Sequence, residues 1–229
     1  MVSQSSTRVV VAMDGPSGSG KSSTSRGVAT RLGLRYLDTG AQFRAVTAWM
    51  IGHDVDFSDP AAIAARSGEP EIVSGTDPQD PTITVDGRDV AAEIRTQAVT
   101  DHVSAVAAVP EVRRRLLEVQ RAIIGDGGIV VEGRDIGSVV APDAEVKVYL
   151  TADPSARAQR RTAENGAGSV EATQADLLRR DAIDSGRAVA PAMMPEGAVH
   201  LDTTPYSLEE VVDQVVALVD EVTGAGSRS

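Results

Sequence analysis

The stretch Gly15-Pro-Ser-Gly-Ser-Gly-Lys-Ser22 follows directly on the apolar run Val9–Met13. It has the form G-x-x-x-x-G-K-S, a phosphate-binding P-loop, and chemistry accounts for each fixed position. Gly15, Gly18 and Gly20 carry no β-carbon, so the backbone can take positive φ and turn its N–H groups toward a polyphosphate. A helix starting near Gly20 adds the positive end of its dipole. Lys21 then reaches the β- and γ-phosphates, and the Ser22 hydroxyl sits on Mg²⁺. Around a bound nucleotide this places Gly15, Pro16, Ser17, Gly18, Ser19, Gly20, Lys21, Ser22 and Ser23. A Gly/Ser-rich linker would not be wedged between a buried strand and a helix.

Outward from the loop, the chain reads as strands alternating with helices. Val9–Met13 is a short β-branched strand closed by Asp14, Gly15 and Pro16. Helix Lys21–Leu32, strand Leu34–Leu37 and helix Ala41–Ile51 follow, the last capped by Asp38-Thr39-Gly40. Phe43, Val46 and Met50 share one side of that helix, which leaves Arg44 free to face ligand or solvent. Between residues 52 and 94 prolines and glycines break the chain into short pieces, with a hairpin turning on Asp86-Gly87. Helices Thr96–Val109 and Pro110–Ile124, then strands Gly128–Glu132 and Glu145–Leu150, resume the alternation. Asp153-Pro154 opens a helix carrying Arg157, Arg160 and Arg161. A flexible break at Asn165–Ser169, helix Glu171–Asp184 and strand Val199–Leu201 follow. Ser207 and Glu210 form a capping box for the closing helix Leu208–Val222, before a tail expected to be disordered. The pattern is that of a three-layer α/β fold with a mainly parallel central sheet, whose ligands lie at the carboxyl ends of the strands.

Composition narrows the function. A net charge of −11 lacks the basic stripe that nucleic-acid binding needs. There is no cysteine, hence no disulfide or thiolate metal site, and His53, His102 and His200 are scattered and read as structural. Residues 1–8 are polar and no apolar run suits a membrane span, so a soluble cytoplasmic protein without membrane partners, and a monomer, is expected.

Four further stretches combine arginines with carboxylates or hydroxyls: D-T-G-A-Q-F-R (Asp38–Arg44), E-I-R-T-Q with S-A-V-A-A-V-P-E-V-R (within Glu93–Arg113), E-G-R-D-I-G (Glu132–Gly137) and R-R-D-A-I-D-S-G-R-A-V-A-P (Arg179–Pro191). With these the chain resembles the cytidylate kinases, of the nucleoside monophosphate kinase group, along nearly its whole length. The resemblance implies the P-loop kinase fold: a core of residues 1–51, 95–150 and 185–229, a monophosphate-binding insertion at 52–94, and a lid with its following helix at 151–184. It implies transfer of the γ-phosphoryl group of ATP to CMP and dCMP, with Mg²⁺. It sets Thr39, Arg44 and Arg134 near the acceptor phosphate and Arg95 at the hinge of the insertion. Ser104, Arg113 and Asp135 would surround the cytosine, and Arg180, Asp184 and Arg187 would face the acceptor's sugar and phosphate. Lys21, Arg134, Arg157 and Arg161 would serve the transfer, with Arg157, Arg160 and Arg161 in a lid over ATP. Glu132 stands where the family commonly has Asp, and Gln42 where an apolar residue is common.

Physical chemistry points the same way. A nucleoside monophosphate is close to a dianion at neutral pH and already a nucleophile, so no catalytic base is needed. Two anions must be held in line and their charge neutralised, a task planar guanidinium groups perform by bidentate contact. A carboxylate such as Asp135 accepts from the cytosine amine and repels uracil's carbonyl at the same place. The rival enzyme reading is another small-molecule P-loop kinase of shikimate or dephospho-coenzyme A type. A GTP-dependent switch would need an N-K-x-D stretch, and the sequence has none.

Overall fold

The computed structural model describes residues 8–165 and 169–224. Its main sheet has five parallel strands in the order β2-β6-β1-β7-β8. These are β1 Val10–Asp14, β2 Arg35–Asp38, β6 Ile129–Glu132, β7 Val146–Thr151 and β8 Val199–Asp202. Central strands of such a sheet are covered on both faces, and β1 reads Val-Val-Ala-Met-Asp with Val11 to Asp14 entirely buried. Helices α1 (Lys21–Leu32) and α8 (Leu208–Thr223) cover one face through Val28, Val212, Val215 and Val219. On the other face Ile124, at the end of α5 (Pro110–Ile124), packs with Ile136 and Val140 of a π-helical turn over Ala12, Leu37 and Val131.

A second apolar cluster lies beside the sheet. Residues 52–94 supply α3 (Pro60–Arg66) and an antiparallel sheet of β3 (Ile72–Ser74), β4 (Ile83–Val85) and β5 (Arg88–Asp89). Asp86 and Gly87 turn the last hairpin with φ of 51° and 75°, the left-handed pair a two-residue hairpin needs. Ile63, Ile83, Val85 and Val90 pack with Val46 and Met50 of α2 (Thr39–Ile51), Val99 and Val106 of α4 (Gln97–Ala108) and Leu116 of α5. Thus the inserted residues share one core with three helices outside them.

Element bounds differ from the sequence reading by a residue or two, with physical causes. β1 runs on through Asp14 because its carboxylate accepts the Ile136 and Gly137 N–H groups at 2.7 and 2.8 Å, so the chain does not turn until Gly15. The Asp38 side chain accepts the Ala41 N–H at 2.9 Å, which starts α2 at Thr39. α3, β3 and the π-helical turn Ile136–Val140 are too short to show periodicity in the sequence. α6 (Pro154–Asn165) and α7 (Val170–Ser185) flank 166–168, so most of the expected break lies outside the described residues, as do 225–229 of the expected tail.

Candidate active site

The P-loop joins β1 to α1 with Gly15, Gly18 and Gly20 at φ of 142°, 76° and 87°. Gly15 and Gly18 are enforced by space as well as torsion, Gly20 by torsion alone. A β-carbon on Gly15 would lie 2.0 Å from the Leu150 carbonyl oxygen, and one on Gly18 would lie 3.0 Å from that of Arg157. Three consecutive loop carbonyls each accept from a cation of a different origin. Gly15 takes Arg134 at 2.6 Å, Pro16 takes Lys21 at 2.8 Å and Ser17 takes Arg157 at 3.0 Å.

Lys21 is buried; burial, then the Arg134 charge, pull its ammonium down to about 7. Nearby, burial and then the Asp38 carboxylate push Glu132 up to about 7. Glu132 accepts from the Tyr36 phenol and, at 2.9 Å, from the Ser22 hydroxyl.

In front of the loop lies a cavity of about 210 Å³. One wall is Ser17, Gly18, Gly20, Lys21, Ser22 and Ser23 from the P-loop side. α2 contributes Thr39, Phe43 and Arg44; α4 contributes Val103, Ser104 and Ala107; α7 contributes Arg180 and Asp184. Arg113, Glu132, Arg134, Asp135, Arg161 and Arg187 complete it, with Asp38 and Arg95 at its edge. Eight cationic side chains thus face four carboxylates. Crowding shows in their titration: burial, then Arg180 and Arg161, lower Arg44 to about 9. Burial and then Arg134 lower Arg180 as well.

Several of these groups are held by built contacts. Thr39 Oγ1 donates to the Glu132 carbonyl at 2.7 Å, and Arg44 donates to the Ile94 carbonyl at 2.9 Å. Arg134 donates to Asp184 at 3.0 Å. At the far end Arg113 pairs with Asp135 and donates to the Ala107 carbonyl at 3.0 Å. Its guanidinium lies 5.4 Å from the Phe43 ring centroid. That end is lined by an aromatic ring, Phe43, a carboxylate, Asp135, and a hydroxyl, Ser104.

A glycine cradle opening on arginines and on that polar end is the geometry of a kinase for small phosphorylated acceptors. The cytidylate kinase family model matches residues 11–221. The chain belongs to the cytidylate kinase family. It is 58% identical over 219 residues to the cytidylate kinase of Streptomyces avermitilis, covering 95% of each chain. It is 59% identical over 215 residues to that of Streptomyces coelicolor, covering 93% of each. Among solved structures, shikimate kinase of Acinetobacter baumannii, with shikimate, matches with a TM-score of 0.50 at 14% identity, over 94% of this chain and 95% of that one. That likeness is of fold.

In this cytidylate kinase family member the cavity brings together Thr39, Arg44, Ser104, Arg113, Arg134, Asp135, Arg180, Asp184 and Arg187, the nine residues expected around the acceptor. Arg161 also lines it, as do six of the nine residues expected around ATP. Gly15, Pro16 and Ser19 do not line it, and neither does Arg157. Arg157 is buried, paired with Asp181 of α7, and Arg160 is spent on the Thr203 hydroxyl and carbonyl at 2.8 and 2.9 Å. The α6 arginines therefore divide: two fasten the helix to its neighbours and one faces the cavity.

Reading the sequence missed Phe43, because its i, i+3, i+7 spacing with Val46 and Met50 suits a cavity wall as well as a core. It also missed Glu132 as a contact of Ser22; the hydroxyl and carboxylate are 110 residues apart in the chain and are brought together by the pairing of β1 with β6 and the packing of α1 on it. His53 and His102 stack on Trp49 and Phe57 at 3.8 and 4.3 Å, away from the cavity.

Proposed function

We propose that this protein transfers the γ-phosphoryl group of ATP to CMP and to dCMP, yielding ADP and CDP or dCDP, in the cytoplasm. The observation that carries the proposal is the single cavity in which the phosphate cradle meets a ring of guanidinium groups with a net excess of positive charge. Two anions repel at the moment of transfer, and a ring of cations around them offsets that repulsion.

The roles follow from position. The loop N–H groups and Lys21 hold the ATP phosphates; an arriving polyphosphate restores the charge that burial takes from Lys21. Arg44 and Arg134 hold the acceptor phosphate with Thr39, and Arg180 and Arg187 bracket it from α7 and the chain after it. Arg161 faces the transferring group from the lid helix. At the far end of the cavity, Asp135 accepts from the cytosine amine, Arg113 and Ser104 meet the other polar edges, and Phe43 stacks on the ring. The inserted residues 52–94 serve as the monophosphate-binding unit and 151–184 as the lid.

The donors beside the cradle suit Mg²⁺. Ser22 Oγ and the Glu132 carboxylate are hard oxygen groups 2.9 Å apart at the cavity wall. That ion is normally held by one or two such groups plus substrate phosphates. Held by Ser22 and Glu132 with the substrate phosphates, such an ion would supply neutralisation of charge on the β- and γ-phosphates.

Turnover of a panel of nucleoside monophosphates and shikimate with ATP and Mg²⁺ tests the assignment. CMP should exceed UMP and AMP in kcat/KM by at least 100-fold, the discrimination a buried polar site gives against a mispaired base. Asp135→Ala should narrow the CMP-over-UMP ratio tenfold or more. UMP turning over as fast as CMP, or a ratio untouched by that substitution, removes Asp135 from the base site.

A further inference from the structure

The inward face of α7 is made of Leu177, Arg180, Asp181 and Asp184, at helical spacing. Asp184 faces the cavity and pairs with Arg134, whose guanidinium caps the Gly15 carbonyl. Asp181, one turn earlier, does not line the cavity, and makes a contact of the same kind on the ATP side. It pairs with Arg157, which caps the Ser17 carbonyl at 3.0 Å, and it accepts the Ser17 N–H at 3.4 Å. Both backbone polar groups of Ser17 are therefore tied, directly or through one guanidinium, to a single carboxylate.

That arrangement decides what the carboxylate does. Ser17 has no helix or strand to hold it, and the neighbouring Gly18 leaves the loop free to turn about positive φ. The Arg157 side chain is 6% exposed, so its charge is desolvated and needs the partner it has. Without the carboxylate the guanidinium would lose its pairing, Ser17 would lose its N–H acceptor, and the cradle's rim would be free to wander. We infer that Asp181 is a positioning residue for ATP: through Ser17 and Arg157 it fixes the rim of the phosphate cradle and registers α7 against it. Asp181 and Asp184 thus divide the helix between the two substrates, one turn apart.

This rests on the kinase reading above, so the test includes a measurement that needs no acceptor. Calorimetry with a non-hydrolysable ATP analogue and Mg²⁺ is run beside steady-state kinetics with CMP. Asp181→Asn should weaken analogue binding and raise KM for ATP fivefold or more, with KM for CMP within twofold of the parent. Asp181→Glu, which keeps the charge, should recover most of the loss. Combined with Arg157→Gln, Asp181→Asn should add no further loss, as expected for two groups acting as one unit.

Analogue affinity unchanged or tightened in Asp181→Asn overturns the inference. So do equal rises in both KM values, additive losses in the double variant, or failure of both Asp181 variants to fold. If the parent binds the analogue but does not phosphorylate CMP, the acceptor assignment fails, while the calorimetric result still decides the role of Asp181.

Discussion

Asp14 is a carboxylate with no exposed surface, at the end of a central strand, one residue before the phosphate loop. Its two oxygens accept the N–H groups of Ile136 and Gly137, and so seat the turn that follows the Gly133–Asp135 wall of the cavity. Burial nevertheless dominates its titration and pushes the carboxyl up to about 6, against the pull of those N–H groups. The sign of the consequence is fixed. Between the unfolded value, near 4, and about 6, the folded chain keeps a proton that the unfolded chain has lost. The contribution of this group to stability is therefore fullest below about pH 4 and falls as pH rises to about 6. Integrated, the change is on the order of 3 kcal/mol. Asp14→Asn removes the titration but leaves one N–H facing an amide, so the variant should be less stable than the parent in acid. As pH rises from 4 to 7 the difference should shift in its favour by roughly that amount. Urea unfolding of both chains across that range measures it, and a constant difference would show that Asp14 ionises normally.

At the scale of elements, the P-loop is where local torsion and tertiary packing impose the same residue. Gly15 has φ of 142° and only 2.0 Å between a would-be β-carbon and a carbonyl oxygen of β7, so neither term can relax without moving the strand. Gly15→Ala should lose 3 kcal/mol or more, about the upper cost of one strained residue with a backbone clash added. For a domain of this size that is roughly a 10 °C drop in melting temperature. It should also lose measurable affinity for ATP. Gly33, at φ of 64° with open space beside it, carries the torsional term alone. Gly33→Ala should cost about 1–2 kcal/mol and leave ATP affinity intact. Equal effects on ATP binding in the two variants would deny the close approach at Gly15.

The same contrast explains what could be read without coordinates. α8 shows its apolar stripe and capping box plainly, because its buried face is valine and its N-cap is local chemistry. α7 hides its inward face, since apart from Leu177 that face is Arg180, the half-buried Asp181 and Asp184, and looks in sequence like a solvated surface. The residues expected around the acceptor, which the structure gathers in one cavity, stood out because they lie in stretches that resemble a family. Asp181, inside one of those stretches, did not, since its role depends on a P-loop peptide 164 residues away.

Across the whole molecule, two bodies of apolar packing are joined through α5 and meet elsewhere at a polar seam. One is the five-stranded sheet with α1 and α8; the other joins α2, α4 and α5 to residues 52–94, and Ile124 of α5 also packs on the sheet. Hydrogen bonds bridge the insertion to the sheet side at its outer end. Arg26 of α1 donates to the Pro78 and Gln79 carbonyls at 2.8 and 3.2 Å, and Tyr36 of β2 donates its backbone N–H to the Thr76 carbonyl at 2.9 Å. At the inner end the seam is the cavity, lined by guanidinium groups close enough to lower one another's proton affinity. Like charges facing across a gap oppose its closing, and the two phosphate-bearing substrates reverse that balance. The bodies should therefore draw together fully only when both anions are present, excluding water from the transfer. Small-angle scattering checks this. The radius of gyration, about 17 Å for a compact chain of this length, should fall with a bisubstrate analogue joining adenosine and cytidine through phosphates. With CMP alone it should fall less. The mechanism also makes a demand on ionic strength. At about 1 M salt, where screening reaches within roughly 3 Å, the free protein should already move part of the way toward the closed profile. Superimposable profiles for the free and analogue-bound protein would mean that the cavity is preformed for transfer and that its charge is held by packing alone.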